Sequence, residues 1–257
     1  MRVQVVAAGA TSGPGLPLST FVVDDVLAID AGALGWFAPP ARQATIHDVF
    51  LTHSHIDHIA GLAVMLDNVY GIVPEPPRVH GLPATLKAIQ DHVFNDCLMP
   101  DFIKLSETLP PFLTLHPLAA GAPVAAGKYT VTAYAVDHSV PTVSYVVDDG
   151  THAFAILTDT APVPHVIEEF ARIPRLRAVF LEASFPNQKA DLAAVSLHHT
   201  SEQFLDAARG FPPNVKIFAI HIKPRFAERV TAEIEAGGLA NVEVATPGQI
   251  VDVAFFD

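Results

Sequence analysis

Leu51-Thr52-His53-Ser54-His55-Ile56-Asp57-His58-Ile59-Ala60-Gly61-Leu62 packs three imidazoles and one carboxylate into six consecutive residues. Just before it, His47-Asp48-Val49-Phe50-Leu51-Thr52 has the apolar centre of a buried strand; behind it, Ile59, Leu62, Ala63 and Leu66 recur at helical spacing. The histidines therefore belong on a loop between a strand and a helix. Side chains two apart on an extended segment project to one side, which pairs His53 with His55, while Asp57 and His58 fall where the chain turns into the helix. Four such donors crowd a single divalent ion, and the spacing suggests two ions side by side with the ligands divided between them. A chance surface cluster or a purification tag would lack the intervening Asp57 and the apolar flanks.

Working outward, Val3 to Ala8 reads as a strand, Gly9 to Pro17 as a Gly/Pro-punctuated loop, and two short strands flank a turn at Asp24-Asp25. Asp30 ends an apolar strand before Ala31-Gly32, where it suits either a turn or a hydrogen bond to the metal-site loop. Arg78 to Gly81 suits a strand and Ala84 to Val93 a helix, whereas residues 107–127 are rich in Pro and Ala and give no clear element. Strands follow at Tyr129 to Val136, Thr142 to Val147, Ala153 to Leu157, Ala178 to Leu181 and Val215 to Ile220. Helices are expected from Pro164 to Arg172, from Ser201 to Arg209 with Thr200 as N-cap, and from Arg225 to Ala236. Val242 to Val244 and Ile250 to Ala254 supply the last strands. This order suits an α/β chain folded as one domain over residues 1–257, an αββα sandwich of two mixed sheets with helices outside.

A site of two ions needs more than four ligands, and strand ends hold them most rigidly. His138 follows the strand ending Ala135-Val136-Asp137, Asp159 follows Ile156-Leu157-Thr158, and His221 follows Phe218-Ala219-Ile220. His80, His92, His116, His152 and His165 lack such placement. The formal charge of −12 excludes a broad basic face for a nucleic acid duplex but not a small anionic substrate, because bound cations set the field inside a pocket. No secretory signal and no long uninterrupted apolar run is read, and Cys97 is the single cysteine. A cytoplasmic location without membrane partners is the expectation.

The His-rich stretch resembles the His-x-His-x-Asp-His signature of the metallo-β-lactamase superfamily. That resemblance implies that His53, His55 and His138 hold one ion, that Asp57, His58 and His221 hold the other, and that Asp159 bridges them. It implies two divalent metal ions as cofactors, with zinc suited to the His-rich set and manganese or iron as alternatives.

Asp137-His138-Ser139-Val140-Pro141-Thr142-Val143-Ser144-Tyr145 lacks the His-Thr-x-Gly-His pattern of thioesterase-, lactonase- and lactamase-like branches, and looks like the phosphodiesterase and ribonuclease Z branches. Leu181-Glu182-Ala183-Ser184-Phe185-Pro186 and Ser196-Leu197-His198-His199-Thr200-Ser201 resemble the Glu and His motifs that those enzymes place beside the metals. Expelling an alkoxide from phosphorus demands a proton donor, and a His oriented by a carboxylate serves. Alignment through Thr200 makes His198 the donor and Glu182 its orienter, with His199 as rival in the doublet. The long basic arm of ribonuclease Z is not read here. His92-Val93-Phe94-Asn95, Pro100-Asp101-Phe102 and Ala219-Ile220-His221-Ile222-Lys223-Pro224 look like class II cyclic-nucleotide phosphodiesterases.

The expected reaction is hydrolysis of a 3′,5′-cyclic nucleotide to a nucleoside 5′-monophosphate. Asp57 serves as both metal ligand and catalytic group, and Phe94, Asn95, Phe102, His199 and Thr200 as substrate contacts. The Phe94 and Phe102 wall would lie within one chain or across a homodimer. The alternatives are a ribonuclease Z-like or other small phosphodiesterase, and a nucleotide-sensing module on the same fold.

Overall fold

The computed structural model describes residues 1–9 and 17–256, so the expected Gly9 to Pro17 loop lies, apart from its ends, outside the described residues. The strands in chain order are β1 (Arg2–Ala8), β2 (Ser19–Val23), β3 (Leu27–Ile29), β4 (Asp48–Phe50), β5 (Arg78–Gly81), β6 (Thr114–Pro117), β7 (Pro123–Ala126), β8 (Tyr129–Val136), β9 (Thr142–Asp148), β10 (Ala153–Leu157), β11 (Leu176–Glu182), β12 (Lys216–Ile220), β13 (Val242–Val244) and β14 (Ile250–Asp252). The α-helices are α1 (Pro40–Gln43), α2 (Ile56–Ile59), α3 (Leu62–Val69), α4 (Pro83–His92), α5 (Phe102–Leu105), α6 (Pro164–Ala171), α7 (Ala190–Ser196), α8 (Ser201–Arg209) and α9 (Ala227–Ala236).

Two seven-stranded sheets form, ordered β14-β1-β2-β3-β4-β5-β6 and β13-β12-β11-β10-β9-β8-β7. Both mix parallel and antiparallel pairs: β3 to β6 run parallel in the first sheet, and β10 to β13 in the second. β11 is apolar along nearly its whole length because neighbours and layers cover it on every side, the usual state of a central parallel strand. Val5, Phe21, Ile29 and Phe50 of the first sheet meet Tyr145, Ile156, Phe180 and Phe218 of the second in one shared core. The Phe21 and Phe180 rings stand 5.3 Å apart across that interface. A second core lies beneath α6, α8 and α9, and a third beneath α3 and α4. The architecture is the αββα sandwich expected from the sequence.

Several details differ. Residues 107–127 contain β6 and β7, the edge strands of the two sheets, where backbone pairing rather than side-chain pattern makes the strand and where Pro117 and Pro123 are tolerated. α7 was not visible in the sequence either. The final strand stops at Asp252, and Val253–Phe256 is a 3₁₀ turn. Among the described residues no helix is long and apolar enough to cross a membrane.

β8 is antiparallel to β9 and β9 to β10, so β8, β10, β11 and β12 all end at one edge of their sheet. His138, Asp159, Glu182 and His221 stand at or just beyond those four ends.

Candidate metal centre

The motif loop leaves β4 through Leu51 to His55, and α2 begins at Ile56 with Asp57 in its first turn. The segment after β3 clamps this turn: Ala31 N–H donates to the His58 carbonyl (2.7 Å) and Gly61 N–H to the Ala31 carbonyl (2.9 Å). Gly32 is required there, since a Cβ would collide with the Asp57 carbonyl oxygen.

Asp30 is fully buried and collects the hydrogen bonds of the loop. It accepts from Thr52 N–H (2.9 Å), from the Thr52 hydroxyl (2.9 Å), from the Ser19 hydroxyl (3.2 Å) and from His58 Nδ1–H (2.6 Å). With its proton given to Asp30, the Thr52 oxygen accepts from His53 Nδ1–H at 3.0 Å. His138 Nδ1–H donates to the Leu197 carbonyl (3.3 Å). His221 Nδ1–H donates to the Ser184 hydroxyl (3.0 Å), which itself donates to Glu182 Oε2 (2.5 Å). The network thus assigns Nδ1–H to four rings and leaves each an Nε2 lone pair.

Those nitrogens converge. His53, His55, His138 and Asp159 bring one ligand atom each within 4.8 Å of one another, and so do Asp57, His58, Asp159 and His221. Asp159 faces both groups: Oδ2 lies 3.7 Å from His53 Nε2 and 3.8 Å from His138 Nε2, while Oδ1 lies 3.4 Å from His58 Nε2 and 3.2 Å from His221 Nε2. His55 enters through Nδ1, 3.3 Å from His138 Nε2, and Asp57 Oδ2 is 3.4 Å from His221 Nε2. His53 Nε2 and His58 Nε2 are buried with no hydrogen-bond partner, a state that costs free energy unless a cation accepts the lone pair. The donor set fits divalent metal ions.

Protonation follows from the surroundings. Burial, the main cause in each case, holds His53, His55 and His138 below the usual histidine value, the neutral form that ligates. Burial opposes ionisation of Asp159 and Asp57, but the neighbouring histidines outweigh it and hold both well below the carboxylate range. His58 goes the other way: burial would lower it, yet Asp30 and Asp159 raise it, so an ion at Nε2 must displace a proton.

Beside the cluster stands a second device. Glu182 is fully buried at the end of β11, and both of its oxygens lie 3.1 Å from His198 Nδ1. Thr160 N–H (2.6 Å) and His199 N–H (3.3 Å) also donate to it. Burial pushes its carboxyl up, but His198 prevails and brings it down to about 2. His198 responds oppositely: burial would lower it, and Glu182 raises it above the ordinary value. The His198 ring lies 5.1 Å from that of His138 and 5.3 Å from that of His221.

The structure separates the two members of the doublet. His199 Nδ1 meets the Glu182 carbonyl at 3.3 Å, and the ring lines a different cavity, between α6 and α8, with Pro162, Ile167 and Gln203. Thr200 caps α8, its hydroxyl accepting from Gln203 N–H while Gln203 Oε1 accepts from Thr200 N–H. The aromatics of the expected substrate wall are buried in a core. Phe94 and Phe102 are 1% and 2% exposed in the core beneath α3 and α4, where Phe94 lies tilted against Phe102 and Phe102 stacks on Phe112, which stacks on Tyr70. Asn95 is exposed and closes a turn through Cys97 N–H and Leu98 N–H. Sequence reasoning missed Thr52, Ser184, Ser19 and Lys223, whose roles arise only from tertiary contact. Lys223 Nζ reaches to 3.5 Å from His221 Nε2.

Comparison with known proteins agrees with this fold. A 57-residue stretch is 42% identical to 3′,5′-cyclic-nucleotide phosphodiesterase 1 of Saccharomyces cerevisiae, covering 22% of this chain and 15% of that protein. A 163-residue stretch is 26% identical to the 3′,5′-cyclic-nucleotide phosphodiesterase of Aliivibrio fischeri, covering 57% and 48%. The matched stretches thus span less than half of either relative. Ribonuclease Z of Methanococcus aeolicus is 28% identical over 109 residues, covering 40% of this chain and 31% of that protein. Unliganded yeast PDE1 superposes with a TM-score of 0.78 at 17% identity, over 97% of this chain and 98% of that one. The short form of human tRNase Z gives 0.71 at 17%, over 98% and 99%. Residues 21–222 match the family model described as Beta-lactamase superfamily domain, and the chain belongs to that family of metallo-β-lactamase-fold hydrolases.

Proposed function

We propose that the chain is a phosphodiesterase with two divalent ions that opens 3′,5′-cyclic nucleotides to nucleoside 5′-monophosphates. The observation that carries this reading is the buried Glu182–His198 pair set against a cluster whose Asp159 turns one oxygen to each group of histidines. Bound divalent ions supply Lewis acidity at a phosphoryl oxygen and acidify water at neutral pH. The chain supplies the rest. Asp30, Thr52, Ser184 and the Leu197 carbonyl fix the ligand rings, so that little reorganisation accompanies reaction.

Glu182 accepts the Nδ1–H of His198 and raises the ring above its ordinary value, favouring the charged form that carries an Nε2 proton for the departing group. As water adds to phosphorus and gives up one proton to solvent, the bond from phosphorus to the 3′ oxygen breaks and His198 gives its proton to that oxygen, regaining one from solvent afterwards.

The relatives named cyclic-nucleotide phosphodiesterase support the substrate class, and those named ribonuclease Z favour a second reading, cleavage of precursor transfer RNA. Metal-loaded protein offered cyclic AMP, cyclic GMP, bis(4-nitrophenyl) phosphate and precursor transfer RNA separates them. Release of nucleoside 5′-monophosphate from a cyclic nucleotide is expected. Preference for the RNA, or binding without turnover at full metal occupancy, overturns the proposal.

A further inference from the structure

His221 is accounted for as a ligand, but the cation two residues beyond it is not. Lys223 Nζ lies 3.5 Å from His221 Nε2, the ring nitrogen that also faces Asp57 Oδ2 at 3.4 Å and Asp159 Oδ1 at 3.2 Å. The local backbone produces this approach. His221 adopts a left-handed φ of 58° as the chain leaves β12, and Lys223 is extended (φ −68°, ψ 130°) ahead of Pro224, the conformation that a following proline favours. Lys223 N–H donates to the Ser184 carbonyl at 3.2 Å, tying the residue to the strand end that carries Glu182. The ammonium is near enough to His198 to act on its charge as well. It therefore stands beside the cluster, within reach of a phosphoryl group held there. Its partly exposed, four-carbon stem lets the charge pivot as that group arrives.

We infer that Lys223 is the anion-holding residue of the site, its ammonium taking a non-bridging phosphoryl oxygen of the substrate and of the monophosphate product. The inference rests on the phosphodiesterase reading and adds a residue to it. A cyclic diester carries one negative charge and a 5′-monophosphate close to two, so the lysine holds the product more strongly than the substrate.

The test uses metal-loaded wild type, Lys223→Met and Lys223→Arg, with metal content measured for each. Calorimetric titration with inorganic phosphate and with adenosine 5′-monophosphate is expected to show binding weakened about 10- to 100-fold in Lys223→Met, as for loss of a charge-assisted hydrogen bond, and partly restored in Lys223→Arg. KM for an anionic diester should rise by more than kcat falls, with KM for a neutral phosphotriester little changed.

Equal affinity for phosphate in wild type and Lys223→Met at equal metal content overturns the inference. So does loss of metal from Lys223→Met, or a wild type that binds neither phosphate nor adenosine 5′-monophosphate. If the binding order holds while no phosphodiester is turned over, the anion site stands and the phosphodiesterase reading falls. If cyclic nucleotide is hydrolysed while Lys223→Met binds phosphate like wild type, the reverse is true.

Discussion

Replacing Asp30 by Asn tests whether the ligand rings are held by the network beneath them. The carboxamide has the same shape, but one acceptor oxygen becomes a donor. Its oxygen must face Thr52, because the backbone N–H at 2.9 Å cannot reverse its polarity. The amide nitrogen is then turned toward His58 Nδ1, where an acceptor had stood at 2.6 Å. Two donors cannot face each other, so the His58 proton moves to Nε2 and the ligand atom is lost. Forcing the proton back leaves a buried donor unpaired, which costs about 1–3 kcal/mol, or about 5- to 150-fold in affinity. Loss of an outer partner of a metal-binding histidine commonly weakens binding by about 10- to 100-fold, the same range. Competition with a chromophoric chelator measures this directly, with the ion held through His53 less affected than the one held through His58. Unchanged affinity for both ions in a folded Asp30→Asn protein would refute the reasoning.

Four further substitutions probe the same geometry. His198→Ala should keep its metal and lose about 10²- to 10⁴-fold in turnover of a cyclic nucleotide, together with the alkaline limb of the pH–rate profile. His199→Ala should change turnover far less, and the opposite ranking in steady-state kinetics would move the proton donor one residue along. Gly32→Ala should destabilise the metal-free protein by more than about 3 kcal/mol in denaturant titration and reduce metal uptake, because the new Cβ displaces the Asp57 turn. Glu182, brought from 4.5 to about 2 by His198, holds its proton more weakly folded than unfolded, so its contribution is present above about pH 4.5 and is lost as pH falls toward 2. Glu182→Gln should flatten that part of the stability curve, as followed by circular dichroism across an acid titration.

The parts of the site that were legible in the sequence share a property. His53, His55, Asp57 and His58 announce themselves because they are adjacent, and His138, Asp159 and His221 because each follows an apolar run that can only be a strand. Glu182 and His198 needed the resemblance to known motifs. Phe94 and Phe102 were not placed by the sequence because an aromatic in an irregular segment looks the same whether it faces a ligand or a core; the structure shows both buried beneath α3 and α4. β6 and β7 were invisible because each is a four-residue, proline-containing edge strand with no clear alternation, made by backbone pairing with its neighbour. Thr52 and Ser184 stood inside the quoted motifs, yet nothing local says that one hydroxyl serves Asp30 and the other Glu182.

What sequence patterns could not show is where the backbone is strained. Asp30, Asp159 and His221 are non-glycine residues with left-handed φ of 57°, 45° and 58°, and Leu197, whose carbonyl orients His138, has 56°. A left-handed residue costs roughly 1–2 kcal/mol, and glycine would relieve it at each position. Glycine cannot donate a carboxylate or an imidazole, however. Asp30, Asp159 and His221 lie at or just beyond strand ends, where the chain must turn sharply while one side chain stays aimed at the cluster; the left-handed conformation does both. His221 also needs its neighbour: a Cβ on Gly9 would come within 2.8 Å of the His221 Cα, and His221 N–H donates to the Ala8 carbonyl at 2.6 Å. The first sheet therefore holds in place the strained His221 at the end of β12 in the second, so the cluster is built by the closure of the two sheets and not by the His-rich loop alone.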